Sequence, residues 1–103
     1  MEPFPACKLE IFLPKTHLVP LHNALRETGG CLTPLSYSPV TGCWRPLAGA
    51  SPYLGRAGEI SAEPELKAEI ACRADRADAI VEAVKRVHPY EEPVINVIPL
   101  YQI

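Results

Sequence analysis

HPYEEPVINVIPL, residues 88–100, is the stretch on which the fold turns. Pro89 and Pro93 bracket Tyr90, Glu91 and Glu92, and an apolar run begins at Val94. Just upstream, Ile80, Val81, Val84 and Val87 recur at helical spacing and predict an amphipathic helix over 77–87. A residue that precedes proline is pushed out of the helical region, so this helix must stop near His88. Past Pro93, whose missing N–H does no harm where a strand starts, the chain is apolar on both alternating faces: Val94, Ile95, Val97, Ile98, Leu100, Tyr101 and Ile103. A half-exposed strand has no need of a second apolar face unless something covers it.

Working outward, ELKAEIACR (65–73) sets Leu66, Ala68, Ile70 and Cys72 against Lys67, Glu69 and Arg73, the period-two pattern of a strand with one buried face. Asp75 and Asp78 read as a capping pair for the helix that follows. CKLEIFL (7–13) repeats the strand pattern with Cys7, Leu9, Ile11 and Leu13. Pro14 ends it, Thr16 is placed to cap a helix carrying Leu18, Leu21 and Leu25, and Gly29-Gly30 closes that helix. Prolines at 34, 39, 46 and 52 and glycines at 42, 49, 55 and 58 break every period in between, leaving 35–44 as the only further strand. The order is strand, helix, strand, strand, helix, strand. That predicts an α+β fold: a ferredoxin-like βαββαβ antiparallel sheet with both helices on one face and a long Pro/Gly-rich insert between strands two and three. Strands one and three are neighbours in this topology, so Lys8 and Glu10 should meet Lys67 and Glu69 on the helix-free face.

With 103 residues, 48% of them apolar, the chain is read as one domain over 1–103. A net charge of -2 with scattered basic residues, Lys85-Arg86 apart, argues against nucleic acid as a partner. No apolar run approaches the roughly 20 residues that span a bilayer, and there is no signal-like start, so no membrane partner and a cytoplasmic location are expected. Cys7, Cys31, Cys43 and Cys72 include no C-x-x-C spacing, and in a reducing compartment they are expected to be free thiols, Cys7 and Cys72 serving as small core residues.

Two segments carry candidate chemistry. In an extended HPYEEP, His88, Tyr90 and Glu92 project to one side and Glu91 to the other. An imidazole near a carboxylate suits a divalent metal ion such as copper or zinc held by His88 and Glu92, with a further ligand from the insert or another subunit. The competing reading is structural, with Tyr90 packing its ring while its hydroxyl finds a partner. In the insert, CWRPLAGASPYLGRAG (43–58), Arg45 and Arg56 could pair with an anionic ligand, while Trp44 and Tyr53 could equally anchor an arm on a neighbouring subunit. His17 and His22 are five apart and face different ways on a helix. No nucleophile stands beside a histidine in a catalytic motif. An edge strand with two apolar faces invites a second copy of the chain, unless the insert folds over it.

HPYEEPVINVIPL after a short amphipathic helix, KLEIFLPKTHLVPLHNALRETGG at the start and CWRPLAGASPYLGRAGEISAEPELKAEIAC in the middle together resemble the PII/CutA-like domain of YqfO-type (NGG-interacting-factor-like) proteins. There the domain is inserted into a dinuclear-metal enzyme-like scaffold whose metal ligands lie outside it. LTPLSYSPVTGCW departs from the family's Tyr-x-x-Cys-x-aromatic stretch, Tyr37 being followed by Ser38-Pro39-Val40. The resemblance implies a homo-oligomer, a trimer whose sheets surround a threefold axis, with a small-molecule or metal ligand at the subunit clefts. Relatives of this fold bind nucleotides and metabolites (PII) or copper (CutA). The expected function is therefore a non-catalytic, regulatory binding module with Arg45, Arg56, His88, Tyr90, Glu91 and Glu92 as ligand-binding candidates. The alternatives are a copper-type tolerance protein using His88 and Glu92, and an enzyme with its site at the subunit cleft.

Overall fold

A computed structural model describes residues 4–44 and 58–101. The elements are β1 (Ala6–Leu13), α1 (Leu18–Thr28), β2 (Ser36–Trp44), β3 (Ser61–Arg73), α2 (Ala77–Val87) and β4 (Ile95–Leu100), each helix preceded by a single 3-10 turn. The four strands form one antiparallel sheet in the order β2-β3-β1-β4. The ferredoxin-like βαββαβ reading is thus what the chain adopts; residues 45–57 of the insert lie outside the described residues.

Alternation drives the layering. Cys7, Leu9, Ile11 and Leu13 of β1 and Leu66, Ala68, Ile70 and Cys72 of β3 are buried on one face, where they meet Leu21 and Leu25 of α1 and Ile80 and Val84 of α2. Burying such side chains stabilises by about 1.5–3 kcal/mol each, which is why both helices settle on this face. Opposite it, Lys8, Glu10, Lys67 and Glu69 form a closed ring of ion pairs: Lys8–Glu10 3.4 Å, Lys8–Glu69 3.3 Å, Lys67–Glu10 3.4 Å and Lys67–Glu69 3.5 Å. Glu10 and Glu69 stand directly opposite each other in the register, so the two lysines on the diagonals are what make that pairing tolerable. Asn96 of β4 adds a bond from Nδ2 to Glu10 Oε1 at 3.4 Å.

Strand three begins earlier than its alternation suggests, at Ser61, and contains Pro64. The register explains the tolerance. Leu32 N–H donates to Ala71 O and Arg73 N–H to Gly30 O, so odd residues of β3 direct their backbone groups away from β1 and even residues towards it. Pro64 therefore lacks its N–H on the side where β1 has already ended, its last pair being Leu13 with Leu66. Pro39 in β2 and Pro99 in β4 stand opposite Leu66 and Cys7, which face inwards, so both prolines turn their missing donors to the outer edges of the sheet.

Helix ends follow the sequence at their C-termini and depart from it at their N-termini. Gly29 and Gly30 take φ of 78° and 90°, and Gly29 N–H closes on Leu25 O. A Cβ at Gly30 would lie 2.7 Å from Arg76 Cγ, and the Arg76 guanidinium donates to Thr28 O at 2.9 Å, tying α2 to the end of α1. His88 leaves the helix at φ -81° and ψ 130°, as the following proline demands. Thr16 and Asp75 do not cap. The 3-10 turns move the N-cap positions to His17 and Arg76, Thr16 Oγ1 bonds instead to His17 Nδ1, and Asp75 pairs with Arg73. Among the described residues no helix is long and apolar enough to cross a membrane.

Candidate functional site

The helix stop at Pro89 and the end of β1 bring three sequence-distant groups together. His88 donates from Nε2 to Phe12 O at 2.6 Å, and its Nδ1 accepts the Tyr90 N–H at 3.2 Å. With a carbonyl on one nitrogen and an amide donor on the other, the tautomer is fixed with the proton on Nε2. The Tyr90 ring packs against His88, centroids 4.9 Å apart and tilted by 56°, and its hydroxyl donates to Glu65 Oε2 at 2.8 Å.

Glu65 is the member that sequence reasoning missed. It lies in β3 opposite Val40 and is only 8% exposed. Its Oε1 occupies the space that a side chain on Gly42 would need, since a Cβ built there would be 1.7 Å away. Two signals were available. ELKAEIACR alternation puts Glu65 on the face of Lys67 and Glu69, and a glycine inside a strand marks a close approach.

Burial pushes the His88 imidazole below its ordinary value, with the Phe12 carbonyl pulling the other way, His17 reinforcing the drop and Glu65 opposing it. His88 is therefore a neutral imidazole at neutral pH, engaged at both nitrogens. Glu91 and Glu92 are exposed on the bend that follows. Among the described residues no group of three or more His, Cys, Asp and Glu side chains comes together to hold a metal ion. Arg45 and Arg56 lie outside the described residues. So His88 and Tyr90 are brought together with a buried carboxylate, while Glu91 and Glu92 remain at the surface. The arrangement is a hydrogen-bonded brace between the α2–β4 connection, the end of β1 and the β2–β3 ribbon.

Edge strand β4 is the other feature of note, for its exposed apolar side chains. Among the described residues it pairs with β1 alone, putting Val97 opposite Leu9 on the helix-covered face and Ile98 opposite Lys8 on the open one. Val97 is 47% and Ile98 36% exposed, and Val94 and Tyr101 at its two ends are exposed as well. Tyr101 leans on Phe4, ring centroids 4.7 Å apart.

Against known proteins, residues 40–103 match the family described as CutA1 divalent ion tolerance protein. The "GTP cyclohydrolase 1 type 2 homolog" of Halalkalibacterium halodurans is 35% identical over 98 residues, 90% of this chain and 26% of that protein. The chain thus spans about a quarter of the length of the curated relatives it matches. Among solved structures, a Bacillus cereus protein related to NIF3 superposes with a TM-score of 0.80 at 24% identity, covering 99% of this chain and 27% of that one. The PII-like protein CutA of Nostoc sp. PCC 7120 gives 0.70 at 19% identity, covering 91% and 80%. These likenesses agree with the resemblance carried by HPYEEPVINVIPL and with the PII/CutA-like fold.

Proposed function

As this chain belongs to the family of CutA1 divalent ion tolerance proteins, we propose that it is a non-catalytic binding module that assembles as a homotrimer and takes a small ligand where copies meet. The observation that carries this reading is β4, an edge strand with exposed apolar side chains on both faces. Water on both sides of Val97 and Ile98 is unfavourable by about 25 cal/mol per Å², and a sister subunit removes it. The ion-pair ring supports the same assembly. Charges that neutralise one another within the chain can be covered by a partner without leaving an unpaired ion.

In this reading Arg45, Arg56, His88, Tyr90, Glu91 and Glu92 are the ligand-binding candidates, the arginines by their charge suiting an anionic group. A second reading, a divalent ion held by His88 and Glu92, draws on the family description. It requires the imidazole to give up a ring partner, since Phe12 O and Tyr90 N–H occupy both nitrogens. The activity in the relatives' name belongs to proteins about four times as long, and here it is a third arm of the same test.

Light scattering followed by a thermal-shift panel tests the proposal. We expect a mass of three times 11.3 kDa, and a rise in melting temperature with one class among nucleotides, organic anions and divalent ions. Ligand at 100 times its Kd adds about 2.7 kcal/mol, well within reach of the method. A monomer in dilute solution defeats the assembly; stabilisation by copper, zinc or nickel alone favours the metal reading; turnover of GTP favours the enzyme.

A further inference from the structure

Three of the cysteines stand abreast across the sheet. Cys7 in β1 is directly opposite Cys72 in β3, and Cys31, just beyond α1, forms an isolated bridge to Cys72 from the other side. Residues directly opposed in an antiparallel pair share a face, so all three side chains lie on the helix-covered side with Ile70 and Leu9. The Cys7 and Cys72 sulfurs are 3.4 Å apart, and the residues are 4% and 0% exposed. All are thiols, as is Cys43, which stands exposed on edge strand β2 opposite Ala62.

The backbone spacing suits a bond between the inner two. Because even residues of β3 direct their backbone groups at β1, Cys7 and Cys72 form a hydrogen-bonded pair. Such pairs have Cα atoms about 5.5 Å apart, within the roughly 4.4–6.8 Å of known disulfides. Two buried thiols already in contact need only side-chain rotation and a small approach of their strands to bond. Cys31 is the one member of the row that reaches partial exposure. It packs on the rim of the core with its sulfur 3.7 Å from Leu25 O.

We propose that Cys7 and Cys72 are a reversible cross-strand dithiol/disulfide couple, entered by small-molecule disulfides through Cys31. The Cys31 thiolate attacks one sulfur of the disulfide RSSR; a mixed disulfide forms and RS⁻ leaves, taking up the proton that Cys31 lost. The Cys72 thiolate attacks the Cys31 sulfur and expels the second RS⁻, which takes the Cys72 proton. Cys7 then attacks the Cys72 sulfur, and Cys31 leaves as a thiolate that takes the Cys7 proton. In sum RSSR is reduced to two RSH, Cys7 and Cys72 are oxidised to one disulfide, and Cys31 is a thiol again. The product staples β1 to β3, the two central strands, on the core side of the sheet at the end where β1 begins and β3 finishes.

Burial raises the Cys31 thiol, and it carries Cys72 up to about 12, with the bond to Cys7 adding to the effect. The thiolate is the attacking species, so closure is slow at neutral pH and speeds up about tenfold per pH unit over the alkaline range where it is scarce.

The test equilibrates the full chain with glutathione/glutathione disulfide buffers of increasing oxidation, quenches with acid, alkylates under denaturing conditions and maps linked peptides by mass spectrometry. The expected result is a peptide joining Cys7 to Cys72, loss of two alkylatable thiols and full reversal by dithiothreitol. Cys31→Ser should slow closure by about tenfold or more with the same end product, since exchange depends on access. Cys43→Ser should change neither rate nor product. The proposal is overturned if Cys7 and Cys72 stay alkylatable in the most oxidising buffer while Cys31 or Cys43 carries glutathione, or if the stable link joins Cys31 to Cys72. The peptide map of the unsubstituted chain decides the couple even where Cys31→Ser folds poorly.

Discussion

Tyr90 donates its hydroxyl to Glu65 Oε2 at 2.8 Å, joining the α2–β4 connection to a buried carboxylate 25 residues upstream. The same carboxylate fills the space above Gly42. Replacing Tyr90 by Phe removes the donor and leaves the carboxylate short of a partner, so a loss of about 1–3 kcal/mol is expected from urea midpoints.

Gly42→Ala puts a methyl group where Oε1 now lies, and overpacking of that kind costs about 1–3 kcal/mol. In a Glu65→Ala background the clash is gone, and the same substitution should be close to neutral. A double-mutant cycle on the two positions should therefore give a coupling of about 1 kcal/mol or more. Strictly additive costs would show that Glu65 swings aside freely, and the brace would lose its meaning.

His88 gives the fold a pH dependence of defined sign. Burial holds its folded-state value below the ordinary 6.5, so the unfolded chain binds the proton more readily. The contribution is complete above the unfolded value and is lost as pH falls through it towards the depressed folded one. Denaturation midpoints measured over pH 5–8, a window of about 1.5 units on each side of that unfolded value, should fall on the acid side. His88→Gln has no charge to gain, so the difference between the two chains isolates the imidazole. A constant difference over the whole range would rule it out as the cause.

The ion-pair ring predicts a salt signature. Lys67→Met leaves Glu10 and Glu69 opposed with Lys8 as their shared cation, at an expected loss of about 1 kcal/mol at low ionic strength. The loss should shrink near 1 M salt, where the screening length is about 3 Å. An unchanged loss would point to the packing of the lysine stem instead.

Most of the frame was legible because one-sided burial writes itself as alternation. CKLEIFL, ELKAEIACR and the Ile80/Val84 stripe each have one face away from the core and one in it, and the elements fall where the periods put them, except that β3 starts four residues earlier, at Ser61. β2 has little such pattern, since SYSPVTGCW is an edge strand that β3 holds by backbone bonds along its whole length. The brace was half legible. Pro89 announces where the helix must stop at His88, but within its own strand Glu65 reads like the ion-paired Glu69, because its partner Tyr90 comes from a different element and only Gly42 on the neighbouring strand hints at the close approach. The cap misreadings have a simple origin: a 3-10 turn ahead of each helix shifts the cap beyond the residue that the composition favours.

Edge strand β4 supplies the prediction that bears on assembly. Ile98→Glu puts a carboxylate opposite Lys8 on the open face, where the isolated subunit can accept it with a new cross-strand pair, so the fold itself should keep its stability. Against a sister subunit the same charge must be buried, at a penalty of several kcal/mol. The expected outcome is a trimer that falls to a folded 11.3 kDa species by light scattering, with an unchanged far-ultraviolet circular dichroism spectrum. Val97→Glu on the other face separates the surfaces: if only one of the two substitutions dissociates the assembly, that face carries the contact. A trimer untouched by both would mean that β4 is not the seam, and the exposed apolar strand would need a different cover.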